Sequence, residues 1–142
     1  MPLQTIQLAA PSAATEIETA LLADLQQSAP QGRNEAITLT VNTTDGRLIA
    51  GLAGSTSYGW LLIKVLWVAD ERRRQGYGRA LVLKAFDHAK SWGCHSAWLD
   101  TSNRDAMRFY TSLGFEAFGS LANSNSQEPT GHQRWFLKCA IP

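Results

Sequence analysis

The sequence predicts an α+β fold in which helices flank a mixed, mostly antiparallel sheet. Two strand candidates lie on either side of Thr43–Gly46, a turn segment with Asp-Gly at its tip, and this pattern predicts a hairpin of antiparallel strands. A strand, helix, strand order over residues 60–101 predicts two parallel neighbours joined by a right-handed crossover. The 142 residues fit a single domain with its own hydrophobic core, spanning residues 1–142.

The first half of the chain is predicted to contain a short strand, a helix and three longer strands. The short strand is expected at Thr5–Leu8 and the helix at Thr15–Ser28, opened by a capping box of Thr15 and Glu18. Apolar residues recur in this helix every four positions, at Ile17, Leu21 and Leu25. The longer strands are expected at 36–42, 47–58 and 60–69.

The second half is predicted to contain two helices and three strands. Apolar residues follow helical spacing from Arg79 to Trp92. A shorter helix is expected from Arg104 to Leu113, with Ser102 or Asn103 as its cap. Strands are expected at 95–101, 115–121 and 132–139, and residues 122–131 are predicted to form a polar loop.

Composition and charge narrow the class of protein. The formal net charge of +1 argues against a general nucleic-acid binder. No apolar run reaches the roughly 18 residues needed to span a bilayer, and no signal peptide is recognisable, so a cytoplasmic location without membrane attachment is expected. Cys94 and Cys139 are too few for a disulfide framework and are expected to be reduced. No metal requirement is expected.

Positive charge concentrates around a glycine-containing turn at Arg73–Gly78. Residues 71–90 contain six basic and two acidic residues, a balance of +4, so the rest of the chain carries −3. The turn follows an apolar strand and opens a helix, whose first N–H groups and dipole favour an anion. The arginines add long-range attraction. This arrangement predicts a pyrophosphate site.

Three known kinds of phosphate-binding turn could account for this segment. The P-loop pattern Gly-x-x-x-x-Gly-Lys-Ser/Thr is absent, and Leu81 occupies the position of the third glycine in a dinucleotide fingerprint. The third kind fits: Leu66-Trp67-Val68, followed by Arg73-x-x-Gly76-x-Gly78, resembles the acyl-CoA loop of the GNAT superfamily of N-acetyltransferases.

A second segment strengthens the resemblance. Residues 103–115 are similar to the GNAT pattern Asn-x-x-Ala-x-x-x-Tyr-x-x-Leu-Gly-Phe, and residues 129–138 resemble the last strand of some small bacterial members. The segment just before the tyrosine helix departs from that bacterial subset. The resemblance implies a GNAT-like mixed sheet with a splayed parallel strand pair. It also implies direct acetyl transfer from acetyl-CoA to a primary amine, of a small molecule or a protein.

The resemblance also implies roles for individual residues. Backbone groups of the strand end would pair with the pantetheine arm of acetyl-CoA, and N–H groups of the turn would hold its pyrophosphate. Tyr110 would be the catalytic residue, as general acid or hydrogen-bond donor to the departing thiolate, unless it is simply a core tyrosine. The positions that match the family's cofactor-binding segments are Leu66, Trp67, Val68, Arg73, Arg74, Gln75, Gly76, Tyr77, Gly78, Arg79, Asn103 and Tyr110.

Several alternatives stay open at this point. Asn103 and Tyr110 are seven residues apart and are expected on one helix face, where Asn103 either binds the CoA arm or caps the helix. Four residues are candidates for the general base: Asp70, Glu71, Asp100 and His132. For each of them, an ordinary structural role is the alternative. The acceptor side could be open or completed by a second subunit, as a homodimer. A non-catalytic acyl-CoA-binding module is the alternative function.

Overall fold

The computed structural model describes residues 2–142, which form two units. One unit extends to Gln31, and the other comprises Gly32–Pro142. That the whole chain acts as a single domain stays a prediction. Across residues 2–142, the helices are too short or too polar to cross a membrane.

The N-terminal unit contains one helix, α1, at Ala13–Ser28. The predicted strand at Thr5–Leu8 is wrong: residues 2–10 have no regular secondary structure, because no neighbouring strand pairs with them. The predicted capping box is also wrong, since the helix begins earlier and Ser12 is its N-cap, without a side-chain cap bond. Thr15 lies inside the helix, where its carbonyl accepts a hydrogen bond from the Thr19 hydroxyl.

The second unit contains a six-stranded sheet and two α-helices. All six strands lie within one residue of their predicted bounds. The helix after the glycine turn begins at Tyr77 rather than Arg79. The elements are β1 Ala36–Asn42, β2 Leu48–Ser57, β3 Trp60–Val68, α2 Tyr77–Ser91, β4 Ser96–Thr101, α3 Arg104–Ser112, β5 Glu116–Ala122 and β6 Gln133–Ala140.

The predicted fold class is confirmed by the pairing of these strands. Their order in the sheet is β1-β2-β3-β4-β6-β5. Only β3 and β4 pair in parallel, through the crossover helix α2, and the other four pairs are antiparallel. The hairpin between β1 and β2 turns at Gly46, whose φ of +90° is a conformation that favours glycine.

The hydrophobic core lies between one face of the sheet and both α-helices of this unit. Leu61, Leu99 and Leu137 project from β3, β4 and β6, and they are fully buried together with Val82 of α2. Tyr110 of α3 belongs to the same core. We call this the inner face of the sheet. Side chains alternate along a strand, so the residues between these positions, such as Trp98 and Phe136, lie on the opposite, outer face.

Candidate active site

The two parallel strands β3 and β4 separate toward their C-terminal ends. They pair over only three residues each, Trp60–Leu62 with Ser96–Trp98. Beyond this point β3 remains paired with β2 as far as Val68, and β4 remains paired with β6 as far as Thr101. The sheet is therefore open between two strands that are each held firmly by another neighbour.

A bulge in β3 lies where the separation begins. Ala53 pairs with Val65 and Gly54 pairs with Ile63, so Lys64 is the extra residue on β3. Gly54 makes this register possible, because a Cβ atom at position 54 would overlap the carbonyl oxygen of Leu62. The sequence analysis did not predict this β-bulge, although a glycine inside a strand is the usual sign of one.

We predict that Gly54→Ala destabilises the protein by about 1–3 kcal/mol, the usual cost of forcing a methyl group into a packed site. The same change should weaken acetyl-CoA binding, because relief of the overlap requires β2 and β3 to move at the separation. Gly119→Ala is the control, since a Cβ there meets nothing within 4 Å. Urea unfolding and calorimetric titration measure the two effects. Equal stability of both variants would contradict the role of Gly54.

A cavity of about 260 Å³ occupies the gap between β3 and β4. Its lining includes inner-face residues such as Leu66 and Leu99 and outer-face residues such as Lys64 and Asp100. The cavity therefore reaches both faces of the sheet. The complete lining is Ile63, Lys64, Val65, Leu66, Leu99, Asp100, Thr101, Ala106 and Tyr110.

Tyr110 presents its hydroxyl to this cavity. The side chain is only 6% exposed, and its ring packs edge-on against Phe115 at 5.4 Å between centroids. Within residues 2–142 the hydroxyl has no hydrogen-bond partner, yet none of their side-chain oxygens is both buried and unpaired. The hydroxyl oxygen must therefore be accessible, and the cavity that Tyr110 lines is the space it faces. Burial raises the pKa of this phenol to about 12.

This raised pKa gives a prediction for stability at alkaline pH. The pKa of Tyr110 in the folded protein, about 12, exceeds the value of about 10 expected when unfolded. The contribution of the neutral Tyr110 phenol to the free energy of unfolding is therefore complete below about pH 10. It is lost as the pH rises toward 12. Between pH 9 and pH 11, the wild type should lose about 1 kcal/mol of unfolding free energy that Tyr110→Phe does not lose. Denaturant unfolding at the two pH values measures this, and identical losses would contradict it.

Asn103 caps α3 and does not share the cavity with Tyr110. Its Oδ1 accepts a hydrogen bond of 3.0 Å from the Ala106 N–H, and its backbone is extended, with φ −104°. Asn103 lies beside a separate and larger cavity of about 430 Å³, which is bordered by the start of α3 and by β6. The sequence analysis expected Asn103 and Tyr110 to share one face of α3. Because Asn103 precedes the helix as its N-cap, Ala106 and Tyr110 share that face instead.

The glycine turn presents an open helix N-terminus. Gly76 is the N-cap of α2 with φ +93°, and Arg74 also has a positive φ, of 62°. In the described chain no side chain caps α2, and Ala80 is the first residue whose N–H bonds back to Gly76. The N–H groups of residues 77–79 therefore lack intrahelical partners and, with the helix dipole, favour an anion.

Gly78 couples this turn to the tyrosine helix. A Cβ at position 78 would lie 3.2 Å from Cζ of Phe109, so the missing side chain lets the start of α2 touch α3. Phe109 is adjacent to Tyr110 in the sequence, and the centroids of their two rings are 5.1 Å apart. The close contact therefore holds the start of α2 against the helix that carries Tyr110.

Two polar side chains of the turn are used to brace it. Arg73 donates through Nε to the carbonyl of Val68 at 3.1 Å and pairs with Asp70 at 2.6 Å. Gln75 donates through Nε2 to the carbonyl of Glu71 at 3.2 Å. By contrast, Arg74 and Arg79 make no ion pair with any residue in 2–142. These two guanidinium groups are available to a phosphate.

The strand register shows which backbone groups of β3 face the gap. The Ala69 N–H donates to the carbonyl of Ile49 on β2 at 2.8 Å. Backbone groups alternate in direction along an antiparallel strand, so Trp67 also bonds toward β2, and Leu66 and Val68 face the gap. The bond from Arg73 to the carbonyl of Val68 agrees with this direction. The geometry therefore favours Leu66 and Val68, rather than Trp67, as partners for a ligand between the strands.

Among the residues considered as the general base, only Asp100 lines the cavity that contains Tyr110. Asp70 and Glu71 form exposed ion pairs, with Arg73 and Arg47 respectively. His132 lies beside the larger cavity. Asp100 is separated from Arg134 by 3.7 Å, at the outer limit of an ion pair, which leaves its carboxylate available.

Comparison with known proteins places this geometry in a family. The model of the acetyltransferase (GNAT) family matches residues 4–115. An acetyltransferase of Agrobacterium fabrum is 37% identical over 90 residues, covering 63% of this chain and 66% of that protein. A blasticidin-S acetyltransferase of Streptomyces morookaense is 31% identical over 77 residues, covering 54% of this chain and 57% of that protein. The aligned segments thus span somewhat less than two thirds of these curated relatives.

A solved structure agrees over nearly the whole chain. A crystal structure from Agrobacterium tumefaciens, assigned as an acetyltransferase, superposes with a TM-score of 0.83 at 29% identity. The superposition covers 99% of both chains. Since the family model matches well over half of the residues and the solved structure shares the fold, the chain belongs to the GNAT family of acetyltransferases.

Proposed function

We propose that the protein is an acetyl-CoA-dependent N-acetyltransferase that moves an acetyl group directly onto a primary amine. The observation that carries this proposal is the cavity between β3 and β4, which reaches both faces of the sheet. Tyr110 lies on its inner side and Asp100 on its outer side. Donor and acceptor can therefore approach the same point from opposite faces.

Acetyl-CoA would bind along the inner side of the opening. Its pyrophosphate fits the free N–H groups at the start of α2, with Arg74 and Arg79 as additional charges. Its pantetheine amides fit the backbone groups of Leu66 and Val68 that face the gap. Family membership supports acetyl-CoA as the donor.

Tyr110 is better suited to donate a hydrogen bond than to transfer its proton completely. The amine nitrogen attacks the thioester carbon, the C–S bond breaks, and negative charge develops on sulfur. An ordinary thiol has a pKa near 8.5, roughly 3.5 units below that of Tyr110, so complete proton transfer to sulfur would cost about 5 kcal/mol. A neutral phenol can stabilise the thiolate by a hydrogen bond instead.

The acceptor amine would enter from the outer face, beside Asp100. An alkyl amine is mostly protonated at neutral pH and must lose a proton to attack. The Asp100 carboxylate can accept this proton directly or through water. The blasticidin-S acetyltransferase named above is consistent with a small-molecule acceptor, and a protein amine remains an alternative. A cytoplasmic location stays a prediction.

Asp100→Asn is predicted to lower kcat by about 100-fold or more, the lower end of the usual contribution of a general base. The effect should shrink as the pH rises toward the pKa of the amine, because free amine is then abundant. Stability should change by less than about 1 kcal/mol, since the contact with Arg134 is long and exposed. Asp105→Asn is the control, because Asp105 pairs with the exposed Arg108 and does not line the cavity that contains Tyr110. Steady-state rates across a pH series measure the difference, and unchanged kcat would exclude Asp100 as the base.

The proposal is tested by thiol release from acetyl-CoA across a panel of amines, including polyamines, aminoglycosides, nucleoside antibiotics, amino acids and peptides. We expect turnover with at least one class and formation of the N-acetyl product by mass spectrometry. Tight acetyl-CoA binding without turnover across the panel would contradict the proposal and favour a non-catalytic acyl-CoA-binding module.

A further inference from the structure

The cavity between β3 and β4 has two opposite charges at its outer mouth. Lys64 of β3 and Asp100 of β4 both line this cavity. The last paired residues of the two strands are Leu62 and Trp98, so the same register continued by two positions brings Lys64 opposite Asp100. The two side chains do not form an ion pair with each other. The opposite charges are therefore held on separate strands, with the gap between them.

The β-bulge in β3 is what places Lys64 at this mouth. Ile63 is 3% exposed and Leu66 packs against the core, so both side chains point to the inner face. Two consecutive exposed residues, Lys64 and Val65, lie between them. In a regular strand only one residue separates two side chains of the same face. The bulge at the separation of the strands therefore also adds a positive charge where the gap begins.

The cations at the mouth are available to a ligand. Lys64 makes no ion pair or side-chain hydrogen bond with any residue in 2–142. Arg134 of β6 lies on the same outer face, and within the described chain it pairs with Asp100 alone, through Nε at 3.7 Å. The two terminal nitrogens of its guanidinium group are left without a partner among these residues. Two cations and one carboxylate thus border the entrance proposed for the amine.

We infer that the acceptor is an amine that also carries a carboxylate, such as an amino acid. This inference rests on the proposed function and names its class of substrate. The amine nitrogen would lie at Asp100, which takes its proton, while Lys64 and Arg134 bind the carboxylate. The carboxylate takes no part in the reaction, in which the C–N bond forms and the C–S bond of the thioester breaks.

The same charges act against polycationic acceptors. A polyamine or an aminoglycoside would bring several ammonium groups to a mouth where one carboxylate faces two cations. Like charges placed against each other suppress a wrong ligand, whereas an acceptor of mixed charge finds a partner for each of its groups. The arrangement therefore selects among amines by the charge beside the reacting nitrogen.

The test compares amino acids with their carboxamides, which differ only in the anionic group. We expect kcat/KM per free amine to be about tenfold or more higher for the acids, a ratio that a hydrogen bond to a charged group can supply. The rates are expressed per free amine because the carboxylate raises the pKa of the neighbouring amine. A polyamine should be a poorer acceptor than either. Equal or higher values for the carboxamides would overturn the inference.

Variants of Lys64 assign this preference to a residue. Lys64→Met should lower the ratio of acid to carboxamide by about threefold or more, and Lys64→Glu should favour the carboxamide. Lys84→Met is the matched control, because Lys84 is an exposed lysine of α2 that lines neither cavity. A merely structural effect at position 64 would slow both substrates and leave the ratio unchanged, and that result would overturn the role of Lys64. If a Lys64 variant fails to fold, the wild-type ratio decides.

Calorimetric titration separates this inference from the proposed reaction. Amino acids and carboxamides are titrated into the full chain saturated with CoA, where no acetyl group is present to be transferred. Tighter binding of the acids without any acetylated product in the rate assay would contradict acetyl transfer and keep the carboxylate site. Acetylation of amines with equal binding and equal rates for acids and carboxamides would keep acetyl transfer and overturn the carboxylate site.

Discussion

Gly76→Glu is expected to weaken acetyl-CoA binding by more than 100-fold. Gly76 has φ +93° at the start of α2, a backbone conformation that residues other than glycine rarely adopt. The carboxylate of the new glutamate would also lie beside the proposed pyrophosphate site. Two unit charges about 5 Å apart near a protein surface repel by roughly 3 kcal/mol, which alone accounts for a 100-fold loss. Isothermal titration calorimetry with acetyl-CoA measures the effect.

The opposite end of the same helix supplies the control for this variant. Gly93 has φ +88°, and a Cβ there also meets nothing within 4 Å, so Gly93→Glu adds the same strain and the same charge. It should leave acetyl-CoA affinity within about threefold of the wild type, because position 93 follows the C-terminus of α2. Similar losses in the two variants would show that helix stability, and not a pyrophosphate contact, explains the effect.

Tyr110→Phe is expected to lower kcat by about 10- to 100-fold with little change in acetyl-CoA affinity. The ring keeps its packing against Phe115, and only the hydroxyl that faces the cavity is removed. A hydrogen bond to a charged group contributes about 1.5–3 kcal/mol, which corresponds to this range of rates. Steady-state kinetics gives kcat, and calorimetry gives the affinity.

Tyr58→Phe controls for the removal of a tyrosine hydroxyl elsewhere in the fold. Tyr58 lies in the turn between β2 and β3, away from the cavity. Its variant should retain wild-type kcat. If Tyr110→Phe also retained wild-type kcat, or lost affinity and turnover equally, Tyr110 would not be the group that stabilises the leaving thiolate.

The elements that could be predicted from the sequence are those that local patterns determine. The β1–β2 hairpin follows from alternation around an Asp-Gly turn, and α2 follows from apolar spacing after a glycine turn. The strand expected at Thr5–Leu8 is wrong because a strand also needs a neighbour to pair with, and local sequence does not specify one. The capping box of Thr15 and Glu18 failed similarly, since α1 begins two residues earlier than predicted.

The candidate site was predictable in its motifs and not in its detailed geometry. The turn at Arg73–Gly78 and the helix of Tyr110 are contiguous segments with recognisable patterns. The bulge at Lys64 depends on contact between two strands, where Gly54 meets the carbonyl of Leu62. The choice of Asp100 among the acidic residues depends on which of them borders the cavity, and that follows only from the folded sheet.

The central claim is that acetyl-CoA binds in the opening between β3 and β4, with its thioester at Tyr110. The most direct measurement is a crystal structure of the full chain with acetyl-CoA. The account predicts the pyrophosphate on the N–H groups of residues 77–79 and the thioester sulfur within hydrogen-bond distance of the Tyr110 hydroxyl. Acetyl-CoA bound instead in the larger cavity beside Asn103, with the opening between the strands unfilled, would contradict it.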